Sequence, residues 1–208
     1  MDFEELNALS EDKQLSIDYE TYFGEMDLTD EQKEQRISLA KKLEDDMLFF
    51  FALISVLRQF KYENMQFAVE SLENRYRATL GAYMNIDDYL SDYIKEFAGC
   101  TADVTQRHAD EEWYLSQDRA MLIAENEANT DWNYSEYQQA IANGMKQKTW
   151  LTMRDRRVRH THMKVDGKTI PIQSVFLVGD SEFLFPKDQT FSPSANEVAG
   201  CRCTIKYS

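Results

Sequence analysis

Proline, glycine, cysteine and histidine are all scarce in this 208-residue sequence, and each scarcity closes off a class of protein. Pro171, Pro186 and Pro193 are its three prolines, so nothing in the first 170 residues removes an amide proton from a helix. Cys100, Cys201 and Cys203 make an odd count, which is no disulfide framework and suits a reducing compartment. His108, His160 and His162 leave little acid–base capacity, and no Gly-Lys-Ser/Thr loop or Gly-x-Ser-x-Gly elbow accompanies them. No carboxylate pair has metal-binding spacing, so an enzyme is not expected. The N-terminus, Met1-Asp2-Phe3-Glu4-Glu5, is acidic where a secretory signal is basic. The longest apolar run, Met47 to Leu57, is eleven residues interrupted by Ser55. A membrane span needs about twenty, so no span is expected.

Positive charge is also lacking: the net charge is −14. It is uneven, because residues 150–208 hold nine Lys or Arg against six Asp or Glu, a net of +3, leaving −17 on the rest. An acidic body with a mildly basic tail does not fit a dedicated DNA-binding protein. What is present in quantity is apolar: hydrophobic residues are 43% and aromatics 12%, enough for a packed core.

The spacing predicts helices first. Thr29 and Gln32 fit a capping box, followed by Ile37, Leu39, Ala40, Leu43, Met47, Phe50, Phe51 and Ile54 at helical intervals. The apolar middle of this helix, Met47 to Phe51, reads either as core or as a partner-binding patch. A second helix is expected over 62–80, with Phe67, Ala68, Leu72 and Tyr76 on one stripe, and a third over 86–97. Residues 99–117 read as irregular, and two further helices are expected over 118–129 and 135–148. The pattern then changes. Asp166-Gly167 between short β-prone segments predicts one hairpin, and Gly179-Asp180 between Val175–Val178 and Ser181–Phe185 predicts another. At the end, Cys201, Cys203, Ile205 and Tyr207 alternate with Arg202, Thr204 and Lys206 as on a strand. The expected class is α+β, with a mostly helical region over 1–117 and a module ending in a small β-rich part over 118–208.

Chemistry concentrates in Arg154, Asp155, Arg156, Arg157, Arg159, His160 and His162. Guanidinium groups here can pair with phosphates or with a protein partner, which points to Arg154, Arg156 and Arg157 as contact residues. Arg159 can instead brace Asp155 or the Cys-Arg-Cys strand, since five donors can tie several carbonyls together. His162, Cys201 and Cys203 have the ligand types that zinc takes, and Cys-x-Cys on a strand turns both sulfurs to one face. The other reading is two small buried side chains, the common fate of free cysteine. A Cys201–Cys203 disulfide would close a very short, strained ring.

One ordered set remains: Arg119-Ala120, Ile123-Ala124, Glu127, Gly144, Trp150, Thr152, Asp155, Arg157-Val158-Arg159, His162, Asp166-Gly167 and Cys201-Arg202-Cys203. In order and spacing it resembles the Mu F-like domain of phage head morphogenesis proteins. Two positions depart from that pattern: Glu125-Asn126 stands where Arg-Thr is usual, and Gly200 stands where Asn precedes Cys-Arg-Cys. The resemblance implies a minor head protein of a tailed phage or prophage, associated with the portal vertex during assembly and DNA packaging or delivery. It makes Trp150, Asp155, Arg159, His162, Asp166, Gly167 and Arg202 the structural motif. The expected partners are the portal and other head proteins, then packaged DNA, and the expected location is the virion, with the host cytoplasm during assembly. The alternative is a virion-carried, metal-binding, nuclease-like effector.

Overall fold

The computed structural model describes residues 18–62 and 64–208; the acidic N-terminus lies outside the described residues. Their helices are α1 (Tyr19–Gly24), α2 (Asp30–Gln59), α3 (Gln66–Gly81), α4 (Asp88–Arg107) and α5 (Gln117–Ala142), with a 3-10 turn at Glu112–Leu115. Then come β1 (Gln147–Leu151), α6 (His160–Met163), β2 (Thr169–Pro171), β3 (Phe176–Val178), β4 (Ser181–Phe183), α7 (Ala195–Val198) and β5 (Thr204–Tyr207). This is an α+β protein, helical first and finished by small antiparallel sheets. No helix of the described residues is long and apolar enough to cross a membrane. Two compact units result, Ser38–Glu125 and the combination of the chain up to Ile37 with Asn126–Ser208.

The unit Ser38–Glu125 follows from helical periodicity. The Thr29–Gln32 capping box that starts α2 is formed: the Thr29 N–H donates to Gln32 Oε1 (3.0 Å) and the Gln32 N–H to Thr29 Oγ1 (3.2 Å). Leu39, Leu43, Met47, Phe50, Phe51 and Ile54 of α2 are buried, as are Leu72, Tyr76 and Leu80 of α3 and Leu90, Ile94 and Phe97 of α4. Each such side chain contributes about 1.5–3 kcal/mol when fully withdrawn from water. The apolar middle of α2 is not enclosed all round, since Phe49 and Val56 are exposed, with Arg75 stacked over the Phe49 ring at 4.2 Å. Phe67, expected on the buried stripe of α3, is exposed too. Helix α4 runs ten residues further than its spacing predicts. Asp87 caps its start by accepting from the Leu90 N–H (3.1 Å). Past Phe97 the polar letters hide small packed residues: Thr101, Ala102 and Thr105 are buried, and the Thr105 hydroxyl donates to the Thr101 carbonyl (2.7 Å).

The other unit places its chemistry on two sheets. The three-stranded sheet has the order β2-β1-β5, antiparallel throughout, pairing Trp150 with Ile205 and Lys148 with both Ile170 and Tyr207. The hairpin β3-β4 turns at Gly179, whose φ of 58° suits glycine, and it forms as its Gly-Asp signal predicts. The other Asp-Gly signal makes a turn without a hairpin of its own. The Gly167 N–H donates to the Trp150 carbonyl (2.8 Å), and the strand after it pairs with β1 rather than with the residues before it. The two helices expected over 118–148 are one, ending at Ala142, and Lys148 lies in β1. The reason is tertiary. The run Asn129 to Asn133 has poor helix propensity, but its side chains find partners outside the helix. Trp150, fully buried, anchors this unit with its ring against Phe176 (5.2 Å) and Phe183 (6.1 Å).

Candidate functional site

The site gathers where the chain leaves α7 and enters β5. Residues 201–203 have no strand partner, so their buried carbonyls need other donors. Two asparagines of α5 supply them. Asn129 Nδ2 donates to the Cys201 carbonyl (3.3 Å) and Asn133 Nδ2 to the Cys203 carbonyl (3.2 Å). Their amide oxygens face the fully buried Arg36, whose Nε reaches Asn129 Oδ1 (3.3 Å) and whose Nη2 reaches Asn133 Oδ1 (3.5 Å). The same guanidinium makes a two-pronged pair with Glu136, at 2.8 and 3.0 Å. Arg36 therefore sets which end of each amide points to the closing segment.

Above that clamp lie three soft donors. His162 Nδ1 is 3.3 Å from Cys203 Sγ and 3.6 Å from Cys201 Sγ, and all three residues are buried. The far ring nitrogen, Nε2, is 3.0 Å from Glu197 Oε2, which also accepts from the Thr161 hydroxyl (2.8 Å). Glu197 fits because Gly179 has no side chain: a Cβ there would stand 2.6 Å from Glu197 Oε1. The Cys203 thiol and the His162 ring lower the Cys201 pKa well below the ordinary cysteine range, against the burial that would raise it. Its neighbour Cys201 and burial push Cys203 the other way, while the Trp150 indole N–H favours its thiolate. That indole N–H is buried and meets no acceptor in hydrogen-bonding geometry. Burial alone would lower the pKa of His162, but Cys201 and Glu197 outweigh it and the net shift is upward. A cavity of about 20 Å³ adjoins the cluster, bordered also by Met153, Val158 and Gly200. The donors can take a thiophilic cation or share protons among themselves.

A ring of ion pairs frames this cluster. Both oxygens of Asp155 accept from Arg202 Nη2, at 2.9 and 2.7 Å, and one also accepts from the Arg157 N–H (2.9 Å). Asp166 accepts from the Thr152 N–H (2.8 Å) and from Arg154 Nε (2.8 Å). Burial would raise both carboxyl pKa values, but these donors reverse it and hold both groups below the usual range. Arg159 Nη2 donates to the Ala199 carbonyl, so it braces the approach to Cys-Arg-Cys while Arg202 takes Asp155. Arg154, Arg156, Arg157, His160, Lys164 and Lys168 are exposed along the segment from β1 to β2.

Spacing on the sequence brings forward His162, Cys201 and Cys203 but not Arg36, Asn129, Asn133 or Glu197. Arg36 lies near the start of α2 among ordinary surface charges, and nothing local separates it from them. The signal that could have found the asparagines is their four-residue spacing inside a run too polar for a helix core. Gly200 stands where the resemblance expects Asn, and its φ of 57° is one that Gly and Asn both adopt at low cost.

A family model described as phage Mu protein F like protein matches residues 84–206, well over half of the chain. The match begins earlier than the residues that carry the resemblance, and it takes in the residues that hold Arg119. Its guanidinium, fully buried, donates to the Thr105 hydroxyl (3.0 Å) and the Tyr114 carbonyl (2.6 Å), so α4 and the 3-10 turn complete the Arg-Ala motif. No curated protein and no solved structure matches. By the family match and the motif residues that it spans, this chain belongs to the phage Mu F-like family of head morphogenesis proteins.

Proposed function

We propose that this chain is a minor head protein that binds at the portal vertex, acting in assembly and in packaging or delivery of DNA, and that it is carried in the virion. Residues 118–208 are the head morphogenesis module in this reading, and 1–117 the helical region that precedes it. The single observation that carries it is the exposed basic segment between β1 and β2 in a chain of net charge −14. Arg154, Arg156 and Arg157 are its contact residues. Asp155–Arg202 and Asp166–Arg154 fix that segment to the folded module, so it is presented at little ordering cost. Such a segment suits an acidic protein surface first and a phosphate backbone second.

The role is one of binding rather than catalysis. His162, Cys201 and Cys203 are buried, so they offer a phosphodiester no exposed base or nucleophile. This argues against the nuclease-like effector. The test is co-purification with the portal protein of the same phage, at low and high salt, for the unaltered chain and for Arg156→Glu/Arg157→Glu. We expect capture that weakens with salt and falls at least tenfold in the variant. Equal capture by both chains, or none by either, removes the reading. Incubation with DNA alone separates the second partner.

A further inference from the structure

The geometry points to a zinc site that ties the closing segment to α6: we propose that His162 Nδ1 and the thiolates of Cys201 and Cys203 bind one zinc ion. This stands independently of the portal reading. Three donors of the types that zinc prefers, from residues 39 and 41 positions apart, meet with all ligand atoms within 4.8 Å of one another. Both nitrogen–sulfur separations are close to those of a coordination shell. Zinc bonds of about 2.3 Å to sulfur and about 2.0–2.1 Å to nitrogen, at tetrahedral angles, set sulfur and nitrogen about 3.5–3.6 Å apart. The two separations here are 3.3 and 3.6 Å, so a small outward movement admits the ion.

The surroundings fit as well. With Nε2–H donating to Glu197, Nδ1 is left with a lone pair directed at both sulfurs. A carboxylate on the far nitrogen is the usual support of a metal-bound histidine, fixing its tautomer and its ring plane. The Trp150 indole N–H, lacking any other acceptor, is available to a thiolate at Cys203. Two thiolates and one divalent ion are neutral together, which removes most of the cost of burying charge. The three donors line the cavity of about 20 Å³, which has room for one water as a fourth ligand. Binding displaces the thiol protons to solvent: zinc takes the two sulfur lone pairs and the imidazole lone pair, and no oxidation state changes.

The test uses the full chain purified under reducing conditions. Elemental analysis should find about one zinc per chain. A chelator should release it in stoichiometric amount and lower Tm, and cobalt(II) should replace it with thiolate-to-metal charge transfer and the visible bands of a tetrahedral centre. Cys201→Ser, Cys203→Ser and His162→Ala should lose the ion, while Cys100→Ser and His160→Ala keep it. Glu197→Gln should still bind but about ten- to a hundredfold more weakly. If the thiol variants do not fold, release from the unaltered chain and its cobalt spectrum decide. Absence of stoichiometric zinc together with no cobalt charge transfer overturns the proposal, and so does full zinc content in folded Cys201→Ser or Cys203→Ser.

Discussion

Among the described residues, five polar or charged side chains are buried in Ser38–Glu125, and fifteen in the unit built from the N-terminal segment and Asn126–Ser208. The two units therefore specify themselves by different means. Ser38–Glu125 relies on size and periodicity, which many apolar combinations satisfy. The other relies on matched donors and acceptors, where each partner restricts the next and an unmatched group is costly.

That contrast can be broken first at Arg36. Arg36→Ala leaves the Glu136 carboxylate and two asparagine oxygens without their common donor, and should lower stability by about 3–5 kcal/mol in urea unfolding. A loss under about 1 kcal/mol would mean that the network is replaceable, unlike other buried pairs. Asn133→Leu keeps the size but deprives Arg36 of an acceptor and the Cys203 carbonyl of a donor. Its expected cost is about 1–3 kcal/mol by thermal or chemical melting. At Gly200, alanine should cost about 1–2 kcal/mol from its positive φ alone, since no atom crowds a Cβ there, and asparagine clearly less. Similar costs for the two would show that backbone conformation is not what that position selects. In the helical unit, Leu72→Met changes shape but not chemistry and should stay under about 1.5 kcal/mol. A larger loss than for Asn133→Leu would invert the comparison.

The smallest effect is electrostatic. Asp155 and Asp166 are held below their ordinary pKa, so the stability they add is present above the unfolded value of about 3.9. It is lost as pH falls through their lower folded values. Both are partly exposed, so screening keeps the contribution modest. Tryptophan fluorescence during denaturation at pH 5 and pH 3 should reveal it. Asp155→Asn/Asp166→Asn should flatten that difference; an unchanged pH dependence would assign it to other carboxylates.

Sequence reading follows the same division. The buried stripe of α2, its capping box, the hairpin at Gly179-Asp180 and the α+β class were legible, because each depends on spacing within a dozen or so residues. The merging of two helices into α5 was not, since Asn129 and Asn133 are tolerated there through partners seventy or more positions away. The extension of α4 was missed because Thr101 and Thr105 look like surface and pack like core. In the site, ligand chemistry brought His162, Cys201 and Cys203 to notice. Glu197 and Arg36 escaped because a carboxylate or guanidinium that orients another group looks like any surface charge.

The asparagine clamp also works as a ruler. Donors four residues apart on a helix rise about 6.0 Å, while carbonyls two residues apart on an extended chain advance about 6.6–6.8 Å. The scales agree to within about 0.6–0.8 Å for one step, which hydrogen bonds absorb, but after two steps they differ by about 1.2–1.6 Å. A helix can thus read two alternate residues of an extended segment and not a third. The protein changes partner at that limit: Cys201 and Cys203 are measured against α5, and from Thr204 onward the chain is measured against β1. One residue inserted between Asn129 and Asn133, or between Cys201 and Cys203, would put the two scales out of phase. The length of Cys-Arg-Cys is therefore set by where helix and strand stop agreeing.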